Sequence, residues 1–279
     1  MYSLTLKLIP IIQPISAKLA ASMAAHLLVA PRLLPPKDWE REAQLSAERI
    51  TVGGGLNGYS WGQGPTVLLA HGWEGRATQM AAFSDALVAK GFRAVAVDAP
   101  AHGRSPGNRM HVVSYAKALY QAGESLGELH GVIGHSAGGN AVAIALSRGL
   151  HVRRAVLIAP QASVDWGAQR LGPLMGLKGR ALRTFPAALE RKMGASLDST
   201  LVPALRDRIA QPVLILHDAS DKEVPLSDGQ AIADALPDAR LEKTEGLGHR
   251  RILKSQEVTR RAAEFLSDRH SSTSPTSGP

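Results

Sequence analysis

A serine flanked by glycines at two-residue spacing, Gly134-His135-Ser136-Ala137-Gly138, follows the apolar run Gly131-Val132-Ile133. A strand that delivers a serine onto a sharp turn just before a helix presents its hydroxyl as a nucleophile. Such a turn holds its central residue in a strained backbone, and bulk two positions to either side clashes, which Gly134 and Gly138 avoid. The same composition also fits an ordinary glycine-rich turn with a capping serine, so the context must decide. A serine hydroxyl is a weak nucleophile at neutral pH and must lose its proton as it attacks. The chemistry therefore needs a neutral imidazole within reach and a carboxylate on the imidazole's other nitrogen. His249, at the end of Thr244-Glu245-Gly246-Leu247-Gly248-His249, is the candidate base, and the carboxylates that follow the apolar run 212–217 are Asp218 and Asp221. Asp165 is a more distant alternative.

Positioning these groups requires a sheet with helices between its strands. The pattern predicts strands at 66–71, 92–98, 131–135, 153–159, 212–217 and 239–244, with helices at 77–90, 112–129, 137–149, 227–236 and 252–267. Strands separated by helices imply parallel crossovers, hence an α/β fold with a mostly parallel twisted sheet and helices on both faces. Two short strands at 49–52 and 56–61, joined through Gly53-Gly54-Gly55, read as an antiparallel edge hairpin. Strand 66–71 runs into His71-Gly72-Trp73-Glu74-Gly75, which sets backbone N–H groups at a strand end where they could form half of an oxyanion hole.

With these segments in place, the chain resembles the α/β-hydrolase superfamily over about 49–267. The motifs that carry the likeness are Gly134 to Gly138, His71-Gly72-Trp73, Asp98-Ala99-Pro100-Ala101-His102-Gly103-Arg104-Ser105 and Asp221-Lys222-Glu223-Val224-Pro225. The order Ser, Asp, His along the chain is that of the superfamily's triad. The resemblance implies Ser136 as nucleophile, His249 as base and, from its Asp-x-x-Val-Pro context, Asp221 in preference to Asp218 as the acid. It implies the backbone N–H groups of Trp73 and Ala137 as oxyanion donors. The implied activity is a serine hydrolase that cleaves a carboxylic ester, or a thioester or amide, through an acyl-enzyme. Acyl transfer with the same triad and a non-catalytic binding protein on the same fold are the alternatives.

The organisation expected is an N-terminal helical extension (1–48), a hydrolase-type domain (49–268) with a small helical cap at about 161–210 inserted after the sixth strand, and a disordered Ser/Thr/Pro-rich tail (269–279). Apolar cap residues such as Leu171, Leu174 and Met175 either line an acyl site or form the cap's own core. Residues 4–34 are largely apolar and carry only basic charges, Lys7, Lys18 and Arg32. An amphipathic helix lying on the domain, or in peripheral contact with a membrane surface, is expected there, with a signal or membrane anchor as the alternative to a cytoplasmic location.

The chain has no cysteine, which excludes disulfides, thiolate metal sites and a cysteine nucleophile. No histidine pair has metal-ligand spacing, so neither a metal nor a cofactor is expected. The net charge of +8 is spread over many helices without interleaved aromatics, which argues against a nucleic-acid partner. A denser basic cluster, Lys178, Arg180, Arg183, Arg191 and Lys192, could attract an anionic substrate or a membrane. His71 and His102 are expected to order their loops, and His135 to point away from Ser136. Arg250 and Arg251 stand where relatives often carry apolar residues, which argues against a purely apolar acyl pocket unless they form surface ion pairs.

Overall fold

The computed structural model describes residues 2–268, so the proposed tail lies outside the described residues. Eight strands, β1 (Glu48–Val52), β2 (Leu56–Trp61), β3 (Thr66–Ala70), β4 (Arg93–Val97), β5 (Leu129–His135), β6 (Arg154–Ile158), β7 (Val213–Asp218) and β8 (Ala239–Thr244), form one sheet. Its order is β1-β2-β4-β3-β5-β6-β7-β8. The β1–β2 and β2–β4 pairings are antiparallel and all others parallel. This is the α/β architecture that the alternation of elements predicts.

The sequence of the inner strands explains their burial on both faces. In β3, Val67 and Leu69 pack with Met80 and Phe83, whereas Leu68 and Ala70 face the opposite layer with Tyr115 and Leu119. Alternation sends successive side chains to opposite faces, so a strand covered on both sides must be apolar throughout. The edge strand β8, with the sequence Ala-Arg-Leu-Glu-Lys-Thr, is only partly buried.

The segment expected to be one α-helix over 77–90 is instead a 3-10 turn, Ala77–Phe83, followed by a short α-helix, Ser84–Ala89. Ala77, Met80 and Phe83 are all fully buried at three-residue spacing. A 3-10 helix places i and i+3 on one face, and so turns all three toward the sheet.

Among the described residues three helices, Tyr2–Ile12, Ala17–Leu27 and Asp38–Leu45, precede the sheet. The second buries Ala20, Ala21, Ala24 and Ala25 in a core shared with Phe185, Ala188 and Leu189 of the helix Gly179–Met193, which follows β6 together with Val164–Leu174. Gln13 fixes the junction, donating to the Gly176 carbonyl and accepting from the Lys178 N–H, both at 2.9 Å. The N-terminal extension and the insertion after β6 thus form one helical layer over the strand ends. Leu4, Ile11, Ile15 and Leu19 remain exposed on it. Among the described residues no helix is long and apolar enough to cross a membrane.

Candidate active site

Ser136 follows β5 and begins the helix Ala137–Ser147, with φ 53° and ψ −122°. For a residue with a Cβ this is a strained conformation, of the kind that persists only where the surroundings fix it. The fixing contacts are its N–H to the Ile158 carbonyl at 2.9 Å and its carbonyl, which accepts from Asn140 N at 3.1 Å. A Cβ on Gly134 would lie 2.7 Å from the Gly138 carbonyl oxygen, and one on Gly138 would lie 2.4 Å from that of His71. Both glycines are required because backbone occupies the space.

His249 lies in the short helix Gly248–Arg251, just past the end of β8. Its Nδ1 is 2.7 Å from Asp221 Oδ2. With the Nδ1 proton directed at the carboxylate, Nε2 keeps its lone pair, the form a general base needs. Asp221 sits in the loop after β7, and its Oδ1 accepts from the N–H groups of Glu223 at 2.8 Å and Val224 at 2.9 Å. Buried His217 donates from Nε2 to the Val224 carbonyl at 3.0 Å, and the same nitrogen is 3.5 Å from Asp221 Oδ2. Burial alone would raise the Asp221 pKa, but the hydrogen bonds from His217, His249 and the backbone outweigh it and hold the carboxyl well below its usual range. Asp221 is therefore ionised at neutral pH.

The two candidate acids part by geometry. Asp218 accepts from Ser220 N at 3.0 Å and Ser220 Oγ at 2.6 Å through one oxygen, and from Thr244 Oγ1 and Leu247 N, both at 2.9 Å, through the other. It ties the loop after β7 to the loop that carries His249 and makes no contact of its own with that ring. Asp165 accepts from Gln169 within its own helix.

The loop after β3 is braced on both sides of Trp73. His71 donates from Nδ1 to the Gly72 carbonyl at 2.7 Å and accepts from Ala99 N at 2.9 Å. Gly75 N donates to the Gly72 carbonyl at 3.0 Å, and Glu74 N to His102 Nε2 at 3.1 Å. Burial lowers the pKa of both His71 and His102, so both are neutral and serve to order the loop. Among the described residues, neither Trp73 N nor Ala137 N donates a hydrogen bond, which leaves both free for a ligand oxygen.

His135 packs against the candidate base. Its ring centroid is 4.7 Å from that of His249, and its Nε2 donates to the His249 carbonyl at 2.9 Å. The side chain does leave the strand on its own face, but the loop bearing His249 folds over that face. Burial pushes its pKa down to about 3, so it is neutral where it packs against His249. Arg250 forms a two-point ion pair with Glu223 (2.8 and 3.0 Å), and Arg251 donates to the Gly246 carbonyl at 2.7 Å.

Ser136, Trp73 and His249 border a cavity of about 410 Å³. Its apolar wall comes from Leu171 and Leu174 of the insertion, from Met110 and Val112, and from Leu28 and Val29 of the N-terminal segment. Neighbouring Leu174 and Met175 differ: Leu174 faces the cavity and is 81% exposed, whereas Met175 is buried in the helical layer's own core. The expectation that both could line the site thus holds for Leu174 alone. The contribution of residues 28–40 was not visible in the sequence. The prolines at 31, 35 and 36, which mark an extended connection rather than a free tail, were its only signal. Among the described residues no group of His, Asp and Glu side chains is arranged to hold a metal ion.

The family model described as "alpha/beta hydrolase fold" matches residues 65–206. Among solved structures, an esterase of Pyrococcus furiosus is 20% identical, with 86% of this chain and 97% of that one covered and a TM-score of 0.65. A monoacylglycerol lipase of Paleococcus ferrophilus is 24% identical, with 76% and 98% covered and a TM-score of 0.61. A bromoperoxidase of Bacillus anthracis is 18% identical, with 78% and 99% covered and a TM-score of 0.59. At these identities the likeness is one of fold. A search of curated proteins finds no match. The family match spans half of the chain and covers the segments that hold Trp73, Ser136 and Ala137, so the protein belongs to the alpha/beta hydrolase fold family.

Proposed function

We propose that this protein is a serine hydrolase that cleaves carboxylic esters through an acyl-enzyme intermediate. The observation that carries the reading is the His249–Asp221 hydrogen bond of 2.7 Å, in a cavity whose wall also holds Ser136 on its strained turn. Ser136 Oγ attacks the acyl carbon while His249 Nε2 takes its proton, and Asp221 stabilises the imidazolium that forms. Negative charge then appears on the carbonyl oxygen. The unengaged N–H groups of Trp73 and Ala137 are the donors for it, each worth about 3 to 4 kcal/mol in such a role. The bond to the leaving group breaks, the departing atom takes the proton from His249, and the acyl group stays on Ser136. Water repeats the sequence on the acyl-enzyme, releases the acid and restores the serine.

The esterase and lipase among the structural neighbours favour ester cleavage within this fold. The apolar cavity fits an aliphatic acyl chain, since sites of this kind are mostly apolar with a few convergent polar groups. The test is turnover of p-nitrophenyl esters of increasing chain length. Wild-type protein should give a burst of p-nitrophenol followed by steady hydrolysis, and Ser136→Ala should give neither. Equal rates for the two proteins would contradict the proposal.

A further inference from the structure

A second cavity of about 250 Å³ also reaches Ser136 and His249, and its wall is richer in charged side chains than that of the first. Its wall carries five cationic side chains against three carboxylates. The carboxylates are all engaged: Glu74 by Arg32, Glu40 by Arg76, and Glu223 by Arg250. Lys37 and Lys254 are the cations left over, and neither has a carboxylate partner among the described residues. Lys254 Nζ stands 4.0 Å over the ring of Trp39. Trp39 belongs to the same wall, and its Nε1 is buried without an acceptor. A concave site with surplus cations and few free acceptors attracts anions.

The chemistry proposed above decides which part of a substrate enters this chamber. The leaving atom must collect its proton from His249, so the leaving group departs along the His249 side. His249 borders both cavities, and beyond it the charged chamber continues along Arg250, Leu253 and Lys254, which follow it in the chain. The aliphatic lining of the other cavity, Leu28, Met110, Leu171 and Leu174 among it, suits the acyl chain and leaves the charged chamber to the leaving group. We propose that the natural substrate is an ester or thioester of an aliphatic acid whose alcohol or thiol portion carries an anionic group, a phosphate or a carboxylate. This rests on the serine-hydrolase reading and extends it to the substrate class. The segment 32–40, from outside the family match, supplies one side of the chamber, including Lys37 and Trp39.

The experiment compares substrates with one acyl chain and different leaving groups. One pair is p-nitrophenyl octanoate against 3-carboxy-4-nitrophenyl octanoate; the other is octanoyl-N-acetylcysteamine against octanoyl-coenzyme A. The readout is the ratio of kcat/KM for the anionic member to that for the neutral member, each normalised to uncatalysed hydrolysis. A general loss of activity does not move this ratio. It should be about tenfold or more at low ionic strength in at least one pair, and the responding pair assigns carboxylate or phosphate. It should fall toward one in about 0.5 M salt, where exposed charges are screened, and in Lys37→Gln/Lys254→Gln. A ratio near one for both pairs, or a ratio that the double variant leaves unchanged, overturns the proposal while hydrolysis of the neutral esters keeps the serine-hydrolase reading intact. If the neutral members are turned over no faster by wild type than by Ser136→Ala, both readings fail together.

Discussion

The turns that carry Ser136, Asp221 and His249 are fixed by backbone and buried side-chain hydrogen bonds, whereas the helical layer above meets the same cavity with apolar side chains and keeps a core of its own. The floor hangs from five strand ends on one edge of the sheet, β4, β3 and β5 side by side and β7 and β8 beyond β6, each leading into a loop that holds a candidate site residue or a group bonded to one. The roof joins residues far apart in the chain, from the N-terminal helices and from the insertion after β6, through contacts between alanines and larger apolar groups. On the proposed function, geometry-critical chemistry sits on the sheet and shape selection on a layer that can vary without moving it. If this division is right, changes to the floor should alter rate and changes to the roof should alter preference.

The largest effects should come from the floor. Ser136→Ala and His249→Ala should each lower kcat for ester hydrolysis by on the order of 10⁶-fold, because each removes a member of a unit that acts together. Thermal unfolding should change little in either variant, and steady-state kinetics beside a melting curve checks both statements. Asp221→Asn should cost on the order of 10⁴-fold, since an amide permits the wrong tautomer of His249.

Asp218→Asn separates support from catalysis. Its carboxylate accepts four hydrogen bonds that hold the His249 loop, so the substitution should destabilise the fold by about 2 to 3 kcal/mol while lowering kcat far less than Asp221→Asn. Burial alone would raise the Asp218 pKa, but these hydrogen bonds hold it below the ordinary carboxylate value. A carboxyl whose pKa falls on folding stabilises the native state above its unfolded value, and that contribution fades as pH drops toward the native one. Denaturant melts should therefore show the gap between wild type and Asp218→Asn at full size near neutral pH and narrowing below pH about 4.

The smallest effects should come from the roof. Leu171→Ala together with Leu174→Ala should shift relative kcat/KM across a chain-length series by about tenfold, the scale expected for removing pocket methylenes. Met175→Ala, one residue further on, should leave that series unchanged and lower stability by about 2 kcal/mol, as for a truncated core side chain. A chain-length shift from Met175→Ala would mean that the layer's core and the cavity wall are coupled.

The sequence made the floor legible and the roof much less so, for physical reasons. Each parallel strand is a short apolar run before a turn, and the turn residues carry their own requirements: Gly134 and Gly138 because backbone crowds their Cα atoms, Asp221 because its loop donates N–H groups to it. Such constraints are local and survive in a linear string. The pairing of Ala20, Ala21, Ala24 and Ala25 with the helix Gly179–Met193 has no local signature, since a small-residue stripe states neither its partner nor its distance. The contact of His135 with the loop bearing His249 is invisible in the sequence for a related reason. Strand alternation gives the face a side chain takes, but not which distant loop will cover it.

Covalent labelling with a fluorophosphonate, followed by mapping of the modified peptide by mass spectrometry, tests the central claim most directly. The probe phosphonylates a serine only where a base and an oxyanion site activate it. Wild-type protein should carry one adduct, at Ser136, and Ser136→Ala should carry none. No adduct on the wild type, or an adduct at another residue that persists in Ser136→Ala, would contradict the assignment of Ser136 as the nucleophile.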